Sequence, residues 1–595
     1  MEPNATVEKK AVRRPRRNPA SPWSIGRNAA VMLALVLGAI YLLETNPATG
    51  RWAQIYDPTG HWWLSTAVAA LPVVLLLGAM AVLRLAAHIA AAAGLLAALI
   101  AAVAVFHMPA RMALTTTVFG AGYGLFPICW IILPVIFLYQ LTVKTGRFEA
   151  LEKTLTQITD DSRLQLLLIA FALGAFFEGT AGFGTPVAVC SALLITLGFR
   201  PIQAAGLALI ANTVPVAFGA LGIPIVALHG ITGLSLPLLS RTVAIILVPF
   251  SIVVPFWLIW VYAGFRRMLE VWPAILVTGV IFGITQFLMA AYVGPGLVDI
   301  AAATITIASL IVFLRHWKPK HVLGPTGEDM TGTERAKTTH GAGAILHAWL
   351  PWLILSVVVF AWGIPQLSRW MSAKTSIDLP VAGLHHFVDL MPPVAARPTP
   401  ESAVFSLNWL SATGTGIFFA SLLAGLAMGL GLKSLAWEFI KTTYSVRFAV
   451  ATIAAMLALG FVMRYSGQDA TLGLAFARTG VLYPFFGTLI GWLGTATTGS
   501  DTASNVLFGS LQQVTAHQIG VSQTLMASAN SAGGVMGKMI AAPSIVVAST
   551  VTDSYGQEGT ILRYVLLHSL AMAALMGGLV CLMAYVHPFT ALVAR

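Results

Sequence analysis

The chain has 595 residues, 57% hydrophobic and only 9% charged, with a mean hydropathy of +0.83. A soluble domain carries roughly 25% charged residues, so an ordinary soluble fold is excluded, and the continuously apolar segments exclude a β-barrel, whose strands alternate. The net charge of +12 sits in short loops between apolar runs, the pattern that orients membrane helices and not one that binds nucleic acid.

Taken in chain order, residues 1–22 are basic and Pro-rich and read as a cytoplasmic tail. Residues 23–50 hold an apolar run, Trp23–Leu43, expected to be an uncleaved extra span, because no A-x-A cleavage pattern follows it. A first half, 51–315, carries apolar segments at 62–83, 85–106, 112–142, 164–198, 202–227, 242–264, 271–293 and 297–315. A cytoplasmic linker, 316–345, leads to a second half, 346–595, with segments at 346–365, 403–430, 448–464, 471–514, 519–549 and 561–587. With the N-terminus inside, Lys144, Arg147, Lys153, Arg163, Arg266, Arg267, Lys318, Lys320, Arg335, Lys337, Lys433, Lys441 and Arg447 all fall on the cytoplasmic side. This holds only if 164–198 and 471–514 each enter and leave by one face. The first is too long for one span of about 20 residues, and both have Gly/Ser/Thr-rich middles. Both are predicted to be re-entrant helical hairpins, with irregular backbone sheltered by protein or a cavity.

The hairpins open two related stretches, Gly182–Pro224 and Thr498–Pro543. Thr185 precedes Asn212 by the same spacing, within one residue, as Thr502 precedes Asn530. Asn212-Thr213 answers Asn530-Ser531, a glycine follows each seven residues after the Asn (Gly219, Gly537), and a proline closes each stretch. An odd number of single crossings between the hairpins inverts the second copy. Inverted repeats with broken helices meeting near the midplane are the pattern of secondary transporters, which places the Asn-Thr and Asn-Ser pairs at helix breaks. The predicted fold is an all-α polytopic membrane protein of two inverted repeats.

Ionisable groups inside such segments are costly and mark function. Glu178 lies in the first hairpin, GAFFEGTAGFGTPVA, and Asp501 in the second, GTATTGSDTASN. Lys538, in SAGGVMGKMIAAP, has Ala220 as its counterpart, and Gly533, Gly534 and Gly537 are expected to clear space around it after a helix break. The bland readings are acids reaching water at the hairpin mouths and a lysine snorkelling to the edge. The sharper reading is a cavity for a small carboxylate, with Lys538, Asn212, Thr213, Asn530, Ser531, Thr185, Thr502, Gly182, Gly184 and Ser500 as substrate-binding residues and Glu178 and Asp501 as proton-coupling acids. Lys538 either grips the carboxylate or stands where a coupling Na⁺ would sit. His88, His107, His229, Tyr123 and Arg84 read as interfacial anchors, and Arg464 as a weaker candidate for substrate contact. Cys129, Cys190 and Cys581 imply no disulfide. No metal, cofactor or enzyme motif is found, so the expectation is a transporter with no cofactor. Na⁺-coupled carboxylate uptake, an intramembrane enzyme using Glu178 and Asp501, and a passive channel are the alternatives.

The stretches WAQIYDPTGHWWLS (52–65), TVKTGRFE (142–149), GAFFEGTAGFGTPVA (174–188), IANTVPVAFGALGIP (210–224), FSLNWLSATGT (405–415), ATTGSDTASNVLF (496–508) and ANSAGGVMGKMI (529–540) together resemble the L-lactate permease family. The resemblance runs from about residue 51 to near the end; the first 50 residues depart from it. It implies proton-coupled import of L-lactate, D-lactate and glycolate across a bacterial inner membrane, with a small monocarboxylate and the lipid bilayer as partners, and it leaves a homodimer open. A more distant likeness to the ion-transporter superfamily implies an elevator-type motion of a hairpin-bearing domain.

Overall fold

The computed structural model describes residues 50–593 apart from 82, 84, 86, 148–149, 151–157, 181, 183, 331–341, 396 and 555–556. The expected tail 1–22, the expected span 23–43, Arg84 and the expected cytoplasmic cations Lys153, Arg335 and Lys337 lie outside the described residues. The chain is a polytopic, predominantly helical membrane protein. Among the described residues ten helices are long and apolar enough to cross a membrane, eleven if one bent pair counts as a span. Backbone groups in lipid must be satisfied within their own segment, so runs rich in Ala, Leu, Ile and Val fold as helices.

The helices, in order, are α1 (Trp62–Ala81), α2 (Ala87–Ala104), α3 (Ala110–Tyr123), α4 (Trp130–Lys144), α5 (Ser162–Thr180), α6 (Thr185–Thr196), α7 (Pro201–Ala211), α8 (Gly219–Thr232), α9 (Leu236–Ala263), α10 (Trp272–Tyr292) and α11 (Val298–His316). The second half holds α12 (Ala342–Gly363), α13 (Thr413–Ala427), α14 (Leu432–Ser466), α15 (Gln468–Ala477), α16 (Tyr483–Thr498), α17 (Asp501–Gln518), α18 (Gln523–Gly537), α19 (Ala542–Val551) and α20 (Glu558–Tyr585). The 12 residues of α6 rise only about 18 Å, short of the roughly 30 Å hydrocarbon core.

Two pairs of helices fold back on themselves. In the first, Cys190 Sγ of α6 reaches the Ile169 carbonyl of α5 at 3.1 Å. The intervening turn needs Gly182 (φ +55°) and Gly184 (φ +84°), a left-handed backbone that side chains with a Cβ resist. In the second, Gln512 Nε2 of α17 donates to the Gly487 carbonyl of α16 at 2.7 Å, and Ser504 Oγ to that of Gly491 at 3.0 Å. Its turn is Gly499 (φ +76°) followed by the N-cap Ser500. The first arm of this pair starts at Tyr483, later than the expected 471. A 111° bend separates Gln468–Ala477 from Gly480–Ala496, so residues 471–477 belong to α15.

The packing of the halves is reciprocal. The half-helix α8 lies on α17 of the other half, and its counterpart α19 lies on α6; likewise α7 packs against α20 and α18 against α9. A second group gathers around the 35-residue α14, which packs on α2, α3 and α4. Gly120 and Gly124 let α3 and the turn that follows it approach the backbone of α14 at Leu457–Ala458 and Ala454, the close approach small residues permit in membranes.

Short strands, not expected from the apolar pattern, occupy the loop between α12 and α13. Val388–Leu390 pairs in parallel with Trp52–Ala53 and antiparallel with Thr399–Pro400, and Ile377–Pro380 pairs with Val404–Leu407. Residues 404–407, expected at the start of a span, are therefore extended, and the helix begins at Thr413. Arg163, expected as a loop cation, is fully buried: it bonds Asp161 at 2.7 Å, Glu270 at 2.7 Å and the carbonyls of Arg267 and His321. None of Cys129, Cys190 and Cys581 is in a disulfide.

Candidate functional site

Two helix breaks bring the two turns together. After α7 the chain leaves α-helical geometry at Asn212, and at the start of α8 Ala220 (φ +44°), Leu221 (φ +60°) and Gly222 (φ +78°) take left-handed conformations. A left-handed residue with a Cβ costs about 1–2 kcal/mol, so surrounding contacts must hold this turn in place. Between α18 and α19 the break is shorter: Lys538–Ile540 form a single 3-10 turn and Ala541 is extended.

A cavity of about 260 Å³ lies between the breaks, the two turns and the middle of α14. Its walls include Glu178, Gly182, Gly184, Ser500, Asp501, Thr502 and Lys538, with Ala220 from the other break and Thr452 and Met456 from α14. The volume falls just below the ~300 Å³ at which drug-sized ligand pockets begin, which suits a small solute.

Lys538 is 7% exposed and donates to the Gly499 carbonyl at 2.7 Å. That carbonyl caps the C-terminal, negative end of the α16 dipole. The Lys538 charge also acts on both Glu178 and Asp501. Each acid is held by the broken helix of its own half. Asn212 Nδ2 donates to Glu178 Oε2 at 3.0 Å. Ser531 Oγ donates to Asp501 Oδ2 at 2.6 Å, with Thr495 Oγ1 and Asn505 Nδ2 each at 3.3 Å. A glycine makes room in both places: a Cβ on Gly219 would fall 2.7 Å from Glu178 Oε1, and one on Gly534 would fall 2.0 Å from Asp501 Oδ1.

The other expected residues stand behind the wall. Asn530 is not at a break but inside α18, seven residues or more before it; Ser531 is inside the same helix. Asn530 stays helical because α17 satisfies its amide: Gln512 Nε2 donates to its Oδ1 at 3.1 Å and its Nδ2 donates to Asn505 Oδ1 at 3.0 Å. Thr213 lies within the first break and turns its hydroxyl to the Ile210 carbonyl, and Thr185 opens α6. The break follows Lys538 instead of preceding it. Gly533, Gly534 and Gly537 do not clear space around Lys538; added Cβ atoms there would strike Thr488, Asp501 and Trp492, so they seat α18 against α16 and α17.

Three buried acids stand outside the expected set of site residues. Asp299, in the first turn of α11, backs onto the Glu178-Gly179 turn: a Cβ on Gly179 would fall 2.7 Å from Asp299 Cβ. Glu401 and Asp469 join Arg464 in a second cavity, of about 390 Å³. Arg464 donates to Glu401 Oε1 at 2.6 and 3.1 Å and to the Ile231 carbonyl at the end of α8, so it ties helices together and does not line the first cavity. The signal for Asp299 and Asp469 was present, an acid inside or at the edge of an apolar run. Of the expected anchors, His88 stacks on Phe448 of α14, His229 bonds the Leu234 carbonyl, and Tyr123 is packed against Gly230.

A polytopic helical protein whose broken helices and folded-back pairs enclose a small charged cavity belongs to the class of membrane transporters. Comparison with known proteins narrows this: the L-lactate permease family matches residues 65–587, and the chain belongs to that family. It is 43% identical over 551 residues to the glycolate permease GlcA of Escherichia coli K12 and 41% identical over 542 residues to the L-lactate permease of the same organism, each alignment covering 90% of this chain and 98% of the relative. The L-lactate permease of Bacillus subtilis 168 is 41% identical over 560 residues, again covering 90% and 98%. Among solved structures, the YdaH transporter of Alcanivorax borkumensis aligns with a TM-score of 0.42 and 13% identity over 79% of this chain and 87% of its own.

Proposed function

We propose that this permease imports small 2-hydroxymonocarboxylates, L-lactate, D-lactate and glycolate, together with a proton across the bacterial inner membrane, with its N-terminus in the cytoplasm. The names of its relatives supply the substrate class. The observation that carries the reading is that Lys538 shares one small cavity with two buried carboxylates on which its charge acts. One of the three ammonium donors is used on Gly499, which leaves two for a substrate carboxylate. Ser500 and Thr502, on the same wall, offer hydroxyls to a 2-hydroxyl group. Asn212, Thr213, Asn530, Ser531 and Thr185 act by holding the wall in shape.

Glu178 and Asp501 are the proton-coupling acids of this reading. A substrate anion that draws on Lys538 weakens the counter-charge both acids feel, and a proton restores neutrality. The coupling ion is thus a proton, and no cofactor takes part. An ammonium already fixed at the negative end of α16 occupies the kind of place a Na⁺ would need, which favours protons over Na⁺. The hairpin-bearing helices moving against α14 would give alternating access by an elevator motion, and a homodimer is the assembly to test by cross-linking.

The deciding experiment is uptake of labelled L-lactate, D-lactate, glycolate and acetate into proteoliposomes under an imposed pH gradient. Uphill accumulation of the hydroxy acids, unaffected when outside Na⁺ is replaced by choline, is expected. Accumulation that follows Na⁺ and ignores the pH gradient would sink the proton reading, and chemical conversion of substrate would point to an enzyme.

A further inference from the structure

Outside the cavity wall, Asp299 is 1% exposed, and neither carboxyl oxygen has a hydrogen-bond partner among the described residues. Asn212 Oδ1, in the same cluster, also lacks a donor. An isolated charge costs several kcal/mol or more to bury, so a carboxyl in such a place takes up a proton. The elements packed on α11 are α5, α8, α10 and the short turns at 214–218 and 295–297. They bring one titratable group to face Asp299, Glu178, whose charge acts on it. His229 of α8 is bonded to the Leu234 carbonyl and Tyr292 of α10 is 80% exposed.

The two acids are unequal. Glu178 has a hydrogen-bond donor, Asn212, and a counter-charge, Lys538; Asp299 has neither. Two neighbouring carboxylates in low dielectric cannot both stay ionised, and the proton goes to the member with less support for its charge. We infer that Asp299 is a proton-binding site of the transport cycle, exchanging its proton with the cavity through Glu178. This rests on the proton-coupled reading above and extends it from the cavity wall to a residue outside it. The transfer is balanced: a proton leaves a Glu178 carboxyl oxygen as one binds Asp299, and the pair keeps its total charge. Gly179 is part of the device, because a Cβ there would fall 2.7 Å from Asp299 Cβ and push α11 off α5.

The test is the full chain in proteoliposomes, with Asp299→Asn and Asp299→Ser compared with the unaltered protein in two assays. Exchange of outside labelled lactate for inside lactate needs a folded carrier but no net proton movement. Accumulation under a pH gradient needs both. A neutral side chain mimics the protonated acid, so the variants are expected to keep exchange and to lose gradient-driven accumulation, while Asp299→Glu keeps both. Unimpaired gradient-driven accumulation in Asp299→Asn would overturn the inference. Loss of exchange in both neutral variants would assign Asp299 a structural role and overturn it equally. If the unaltered protein itself ignores the pH gradient, the proton-coupled reading falls first and the inference with it.

Discussion

The Lys538 ammonium meets the Gly499 carbonyl at 2.7 Å, and in the other half Ala220 Cβ lies 3.3 Å from where a Cβ on Gly182 would sit. The same contact, a break residue against a turn glycine, occurs in both halves. Only one of the two break residues carries a charge, so the two halves differ in the electrostatics they bring to the cavity.

Replacing Lys538 by Ala removes the one ammonium on the cavity wall among the described residues. A hydrogen bond to a charged group is worth about 1.5–3 kcal/mol, so substrate affinity is expected to fall about 10- to 100-fold. Uptake assays with the folded state checked by size-exclusion profile measure this; near-normal uptake would remove Lys538 from the site.

Gly534→Ala would place a methyl group 2.0 Å from Asp501 Oδ1. Asp501 must move off Ser531, and overpacking of this kind costs about 1–3 kcal/mol. A lowered Tm and lost uptake are expected. Gly578→Ala in α20 is the control, since nothing lies within 4 Å of its added Cβ; it should leave both unchanged.

Arg163→Met leaves Asp161 buried without its ion partner and frees the Arg267 and His321 carbonyls. Breaking a buried pair from one side costs about 3–5 kcal/mol. Thermal unfolding in detergent should show a large drop in Tm, while KM of the protein that remains folded is unchanged because Arg163 is remote from the cavity wall. An altered KM with normal stability would contradict this.

Arg464 and Glu401 form the ion pair that joins α14 to the strand-bearing loop and, through Ile231, to α8. Arg464→Ala and Glu401→Ala should each destabilise the protein, and the double variant by less than their sum. A coupling of about 1 kcal/mol or more in this double-mutant cycle is expected; strict additivity would show that the pair does not act as a unit.

Much of the architecture was legible in the residues. Apolar length and loop charge showed a polytopic helical protein, and the paired Thr–Asn–Gly–Pro order pointed to two related halves whose helices pack reciprocally. Glu178, Asp501 and Lys538 stood out because a charge in an apolar run is costly. The strands at 377–407 escaped notice because two- to four-residue strands leave no periodic trace. Asn530 was placed at a break by analogy with Asn212, yet its amide is satisfied by Asn505 and Gln512 from another helix, and that contact removes any need to unwind.

The sequence by itself determined the solvent this protein lives in and the residue types it hides there. Hydropathy and the cost of burying charge are local properties, summed along the chain. Only the tertiary structure decided which groups meet: Ser531 with Asp501, Asn212 with Glu178, Asp299 against the turn at Gly179. Those pairings join positions tens to hundreds of residues apart, and they depend on how closely glycine faces let helices approach. Asp299 shows the difference best. Its position at the edge of an apolar run was plain to read, but that its oxygens lack a hydrogen-bond partner among the described residues and that it backs onto the Glu178-Gly179 turn are facts of packing alone.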